Sequence, residues 1–260
     1  MANICKILAI GDVVGEVGCE KVRAVLPNFK IKENIDICIA NGENSATGNG
    51  LTPYSAEHLF ASGVDFITGG NHIFRRHEVY ETLDSSLSII RPANYIDECP
   101  GKGYGIIDKG SVRVGVINML GTVYLEPLRN PFLIIDKIVD ELKKEVKIIL
   151  LDFHAEATGE KRGMGFYLDG KISAMFGTHT HVQTADEQIL PLGTGYITDL
   201  GMTGPIQSVL GVDAAVVIEK MRINMPVRFT NPQTECSLQG ALFTIDKQSG
   251  KTIDVKRVLL

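Results

Sequence analysis

Gly177-Thr178-His179-Thr180-His181 places two imidazoles one residue apart, just after an apolar run. A protein core does not accept such a pair cheaply. The chain has only six histidines, and a third, His154, closes the run Lys147-Ile148-Ile149-Leu150-Leu151-Asp152-Phe153. A fourth, His72, follows Gly69-Gly70-Asn71, again after apolar residues. Asp12 and the pair Glu43-Asn44 sit in the same way behind apolar stretches. Asp12, Glu43, Asn44, Asn71, His72, His154, His179 and His181 are all of metal-competent type. Two carboxylates, two amides and four histidines exceed the roughly four ligands of a tetrahedral zinc site. They suit two divalent ions that share a bridging carboxylate, each with mixed oxygen and nitrogen ligands. Two such ions about 3.5–4 Å apart clamp both oxygens of an in-line displacement at phosphorus. A hydroxide between them would be the nucleophile, because metal binding lowers the pKa of water from 15.7 to about 7.

Positioning such a set needs strands that end together, as the carboxyl ends of strands do in α/β folds. The pattern predicts a first strand over Ile4 to Ile10, then a helix from Cys19 to Leu26 halted near Pro27. A second strand, Ile35 to Ala40, ends at Asn41-Gly42-Glu43-Asn44. Thr52-Pro53 opens a helix to Ser62, with proline in the first turn. A third strand, Val64 to Thr68, leads to Asn71-His72, and a short helix runs from Glu78 to Leu83. Gly105 to Lys109 and Ser111 to Asn118 read as a hairpin around Lys109-Gly110. Pro131 to Glu145 is helical, with Phe132, Ile135, Ile138, Val139 and Leu142 on one face. Strands ending at His154 and Gly177 follow, then Ile189-Leu190 and Gly195 to Thr198. A helical patch spans Asp213 to Lys220, and Gly240 to Leu259 is a last hairpin. Near-continuous apolar strands indicate sheets covered on both faces. The expected architecture is one α/β domain over residues 1–260, two mixed sheets flanked by helices.

Composition narrows the function classes. The chain has 260 residues, 44% hydrophobic and 22% charged, so an ordinary globular core is expected. Net charge is −5 without a long basic run, which argues against a dedicated duplex-DNA binder. The five cysteines form no Cys-x-x-Cys pair, and Cys5 and Cys38 fit reduced core positions. No apolar run reaches membrane-spanning length and no signal peptide precedes the first strand, so a cytoplasmic enzyme is expected. Simpler roles exist for single residues. Asp12 would cap the following helix, Asn71 would make an Asx turn, and Asn44 would order its loop. His58 and His77 fall on helices as packing or surface residues. Thr47-Gly48-Asn49-Gly50 lacks the nucleotide-triphosphate loop pattern and reads as a mobile loop beside the metals. Arg162 falls in the glycine-rich stretch 159–165, read as a solvated loop. Gly201-Met202-Thr203-Gly204-Pro205 reads as a wall of the cleft.

Asp12, Gly-Asn-His at 70–72, His154 and Gly-x-His-x-His at 177–181 occur in the order of the calcineurin-like metallophosphoesterases. Ile10-Gly11-Asp12-Val13-Val14-Gly15, Ala40-Asn41-Gly42-Glu43-Asn44 and Thr68-Gly69-Gly70-Asn71-His72 resemble the small bacterial YmdB-like phosphodiesterases. Arg91-Pro92-Ala93-Asn94-Tyr95 and Thr198-Asp199-Leu200-Gly201-Met202 extend the similarity over nearly the whole chain. The resemblance implies one metal held by Asp12, Asn44 and His181, and another by Asn71, His154 and His179. Glu43 would bridge them, and His72 would be the general acid or a donor to the phosphate. The general pattern has a histidine where Val14 stands and an aspartate where Glu43 stands, a departure the YmdB-like branch shares. Fewer histidines and more oxygen ligands favour iron or manganese over zinc. The implied reaction is hydrolysis of a small phosphodiester, with 2′,3′-cyclic nucleotides as the substrate class. A histidine of ordinary pKa near 6.5 suits the proton needed by the alkoxide. A homo-oligomer and an RNA-related role are further implications. The rivals are a phosphomonoesterase using the same metals, and a regulatory metal or nucleotide sensor.

Overall fold

The computed structural model describes residues 3–260. The first third contains β1 (Ile4–Ile10), β2 (Asp12–Val13), α1 (Gly15–Glu33), β3 (Ile37–Asn41), α2 (Pro53–Ala61), β4 (Phe66–Thr68), a 3-10 turn at His77–Val79 and α3 (Tyr80–Ser85). The middle contains β5 (Tyr104–Asp108), β6 (Arg113–Leu120), α4 (Pro131–Leu142), β7 (Ile148–His154), α5 (Thr158–Leu168) and β8 (Ala174–Thr178). The last part holds β9 (Gln188–Ile189), β10 (Gly195–Ile197), β11 (Met202–Pro205), α6 (Ala214–Ile223), β12 (Cys236–Ser237), β13 (Gln239–Asp246) and β14 (Thr252–Leu259).

Alternation along β1 explains the layers. Cys5, Ile7 and Ala9 point to one core, Leu8 and Ile10 to another, as a period of two requires. Of the two large sheets, one has the order β14-β13-β1-β3-β4 and the other β5-β6-β7-β8-β10-β9, and a small third sheet has the order β12-β11-β2. Both large sheets are mixed: β1, β3 and β4 run parallel, as do β6, β7, β8 and β10, while β13 and β5 pair antiparallel with their neighbours. Ile7, Ile37 and Ile39 of the first sheet meet Val114, Val116, Leu150 and Phe176 of the second in a shared core. The outer face of the first sheet is covered by Val22 and Leu26 of α1 and Leu59 of α2. That of the second is covered by Ile135 and Val139 of α4 and Met164 and Leu168 of α5. The result is a helix–sheet–sheet–helix sandwich with the carboxyl ends of β3, β4, β7 and β8 on one edge. Asn41 and Thr68 on the first sheet bond Asp152 on the second, at 3.0 and 2.5 Å, which ties those ends together.

Thr52 caps α2 as expected: its hydroxyl accepts from Ser55 N–H at 3.1 Å, and Ser55 Oγ accepts from Thr52 N–H at 3.1 Å. Thr52→Ala is expected to lower unfolding free energy by about 1 kcal/mol, read from denaturant midpoints. Cys5 and Cys38 are buried, and all five cysteines are free thiols. Among the described residues no helix is long and apolar enough to cross a membrane.

Three expectations change. The first helix does not halt near Pro27; it continues to Glu33, with Pro27 inside it. Pro27 removes one N–H, but Arg23, whose carbonyl loses that donor, is exposed to water. Lys30 then anchors the far end on Gly63 O and Asp65, at 2.7 and 2.8 Å, and left-handed Asn34 closes it. The stretch around Arg162 is not a solvated loop but α5. Gly165 lets α5 approach the sheet, since a Cβ there would lie 2.6 Å from Tyr196 Cε2. Arg162 stacks 5.0 Å from the ring centres of Phe166 and Tyr196. Gly201 to Pro205 is more than a cleft wall, because Met202 to Pro205 form β11, whose Met202 and Thr203 pair in parallel with Asp12 and Val13 of β2.

Candidate metal centre

Each candidate residue follows a strand and points into one place. Glu43 and Asn44 follow β3, Asn71 and His72 follow β4, His154 ends β7, and His179 and His181 follow β8. Asp12 is held in β2. His154 Nε2 lies 3.2 Å from Glu43 Oε1, 3.1 Å from Asn71 Oδ1 and 3.0 Å from His179 Nδ1. Glu43, His154 and His179 thus converge tightly enough for one ion to touch all three. On the other side of Glu43, His181 Nε2 lies 3.6 Å from Asp12 Oδ1 and 3.3 Å from the Asn44 amide nitrogen. Asn44 Nδ2 donates to Glu43 Oε1 at 3.1 Å, so Glu43 stands between the two groups. His72 Nδ1 faces Asn44 Oδ1 at 2.9 Å and Glu43 Oε1 at 3.3 Å, and its side chain is 20% exposed where that of His154 is 0%. All eight residues singled out from the sequence therefore lie in one cluster. Asp12 does not cap α1, whose N-cap is Val14 without a side-chain bond.

An outer shell fixes which nitrogen of each histidine faces inward. His181 Nδ1 donates to Leu210 O at 3.0 Å, leaving Nε2 as the inward lone pair. His179 Nε2 contacts Glu156 at 3.2 Å, leaving Nδ1 inward. Thr178 Oγ1 donates to Asp152 Oδ1 at 2.6 Å and lies 2.8 Å from His154 Nδ1. Carboxylate or carbonyl partners of this kind orient metal-binding imidazoles. Asp152, Thr178, Asn41 and Glu156 were not singled out from the sequence. The available signal was Asp152 itself, a carboxylate within an otherwise apolar strand.

The electrostatics match a site built for cations. Burial favours the neutral acid at Glu43, yet His154 and His72 hold its carboxyl well below the usual range. Asp12 is likewise held low by His181 and His154 against its burial. Burial works against charge on His154, but Glu43, Asp12 and Asp152 raise it to about 9. Burial and the neighbouring His154 push His179 down to about 4. His181 is raised by Asp12 against its burial, and burial lifts Asp152 to about 6.

Three observations show that the residues fit metal ions. Asp12 Oδ1 is buried without a hydrogen-bond donor, a costly state for a carboxylate oxygen unless a cation meets it. His154 Nε2 and His179 Nδ1 converge to 3.0 Å while their other nitrogens are engaged, so both lone pairs are available to one ion once His154 gives up its proton. A Cβ on Gly70 would stand 2.2 Å from Glu43 Oε2 and 2.5 Å from His154 Nε2, so glycine keeps that cradle open.

A family model described as YmdB-like protein matches residues 8–258. The chain belongs to the YmdB-like family. The 2′,3′-cyclic-nucleotide 2′-phosphodiesterase of Bacillus subtilis (strain 168) is 44% identical over 255 residues, 98% of this chain and 97% of that protein. The crystal structure of a novel phosphatase from Mycoplasma pneumoniae matches with a TM-score of 0.93 and 31% identity, covering 100% of this chain and 94% of that one. A hypothetical protein from Thermus thermophilus matches with a TM-score of 0.92 and 35% identity, covering 98% of each. The YmdB-like fold is thus the calcineurin-like metallophosphoesterase sandwich of two mixed sheets between helices.

Two results are expected of this YmdB-like centre. Gly70→Ala should strip metal from a protein that still folds, measured by elemental analysis beside far-UV circular dichroism. The second concerns pH. His154 in the metal-free protein is raised from 6.5 to about 9, so its contribution to stability is present below about pH 6.5 and lost as pH rises through about 9. His181 shifts in the same direction. Metal displaces those protons, so the gap in Tm between metal-loaded and EDTA-treated protein should widen from pH 6.5 to 9.

Proposed function

We propose that this centre hydrolyses phosphodiesters, with 2′,3′-cyclic nucleotides as its substrate class, in one domain over residues 1–260. The observation that carries it is Glu43, buried between two sets of inward-facing donors. Asp12, Asn44 and His181 would hold one metal ion, Asn71, His154 and His179 the other, with Glu43 shared. Bound there, two ions, iron or manganese by donor type, would neutralise the phosphoryl oxygens and lower the pKa of water from 15.7 to about 7. Asn44 presents its amide nitrogen to Glu43 and His181 and its oxygen to His72. A half-turn of that amide gives its oxygen to the metal side and an N–H to His72 Nδ1.

A water that has given up one proton to solvent adds its oxygen to phosphorus, the P–O2′ bond breaks, and the ribose 2′ oxygen leaves with the electron pair. Being a poor leaving group, it needs a proton, and partly exposed His72 donates it. The burial of Glu43 and Asp12 keeps bulk water from their charges, which would strengthen their hold on the ions.

The name of the Bacillus subtilis relative supports the cyclic-diester reading. The Mycoplasma pneumoniae relative, described as a phosphatase, favours a phosphomonoesterase as the second reading. Incubating the metal-loaded protein with 2′,3′-cyclic AMP and separately with 3′-AMP decides between them. The expected outcome is conversion of the cyclic diester to 3′-AMP with no further release of phosphate. Phosphate release from 3′-AMP, with the cyclic diester untouched, would establish the monoesterase instead.

A further inference from the structure

We infer that the buried Lys161–Asp199 ion pair positions the two-histidine loop and Asp12, so that metal affinity depends on two residues outside the ligand set. Lys161 and Asp199 are 1% and 0% exposed, with Nζ and Oδ2 2.6 Å apart. A buried pair is a poor route to stability, since apolar residues of similar volume often do as well. Its hydrogen bonds point to another task. Asp199 Oδ2 also accepts from Thr180 N–H at 3.2 Å and Thr180 Oγ1–H at 2.7 Å. Thr180 is the residue between His179 and His181, whose φ angles of 96° and 62° are left-handed. Such conformations are costly for residues with a side chain and persist only where the surroundings enforce them. Asp199 Oδ1 accepts from Gly201 N–H at 2.8 Å, and Gly201 O accepts from Asp12 N–H at 3.1 Å. One carboxylate therefore reaches His179, His181 and Asp12 through backbone neighbours.

Lys161 fixes that carboxylate from α5, a helix that begins just beyond His154. Its stem passes over Gly177: a Cβ there would stand 2.9 Å from Lys161 Cδ and 1.9 Å from Thr198 O. The glycine of Gly-x-His-x-His is thus the space through which the lysine reaches Asp199.

Because this inference rests on the metal-centre reading, the measurement is manganese(II) affinity of folded protein, with free manganese counted by its EPR signal. Thermal unfolding in EDTA runs beside it. Asp199→Asn is expected to weaken manganese binding about 10- to 100-fold, as loss of outer-shell partners does. The Lys161→Met/Asp199→Asn double variant should lose no more affinity than Asp199→Asn alone, because both act through one device. Thr180→Val removes a single hydroxyl, leaves the pair intact, and should weaken binding to a smaller extent. It carries the test if the pair variants do not fold. Variants with a lower Tm in EDTA but wild-type manganese affinity would show a purely structural pair and overturn the inference. Wild-type protein that takes up no manganese would overturn the metal-centre reading, and this inference with it.

Discussion

Glu43→Gln is expected to lower phosphodiester turnover about a thousandfold, with metal content falling below two ions per chain. Its carboxylate touches His154 at 3.2 Å and His72 N–H at 2.8 Å, and accepts from Asn44 at 3.1 Å. Glutamine keeps the volume and one oxygen but removes the charge that two neighbouring cations would share. Losing several kcal/mol of transition-state charge stabilisation, about 4, corresponds to that factor. Elemental analysis and turnover on the same samples check it. Full metal content with undiminished turnover would show that Glu43 bridges nothing.

His72→Ala should give a different signature. Metal content stays at the wild-type level, because the other seven residues of the cluster remain. Turnover of 2′,3′-cyclic AMP falls by about 10²–10⁴, the usual contribution of a general acid. Bis-p-nitrophenyl phosphate suffers less, since p-nitrophenolate departs without a proton. Comparing kcat for the two substrates checks this. Equal losses would make His72 a phosphate-binding residue rather than the proton donor, and an unchanged kcat for the cyclic substrate would remove it from the mechanism.

The edge that carries the centre was legible because its signals are local. Polar residues at the ends of apolar runs mark strand ends, and β3, β4, β7 and β8 deliver Glu43, Asn71, His154 and His179 where those runs stop. The two-sheet layering follows from strands apolar on both faces, as β1 shows. What was not legible depends on distant partners. α5 carries Gly159, Gly163 and Gly165, weak helix formers, and its buried face includes Lys161, which reads as a solvent residue until Asp199 is placed beside it. Arg162 looked solvated for the same reason. Pro27 reads as a stop, yet α1 continues through it to Glu33, where Lys30 reaches Gly63 O, a contact distant in sequence. β2 and β11 pair through two residues each, too few for any periodicity to reveal, although they hold Asp12.

The most direct test of the proposed dinuclear phosphodiesterase mechanism is metal stoichiometry followed together with turnover of 2′,3′-cyclic AMP, through chelation and stepwise reloading with manganese or iron. The expected result is about two ions per chain, activity lost on chelation, and activity regained as the second ion binds. One ion or none after reloading, or turnover that persists in chelator, would contradict it.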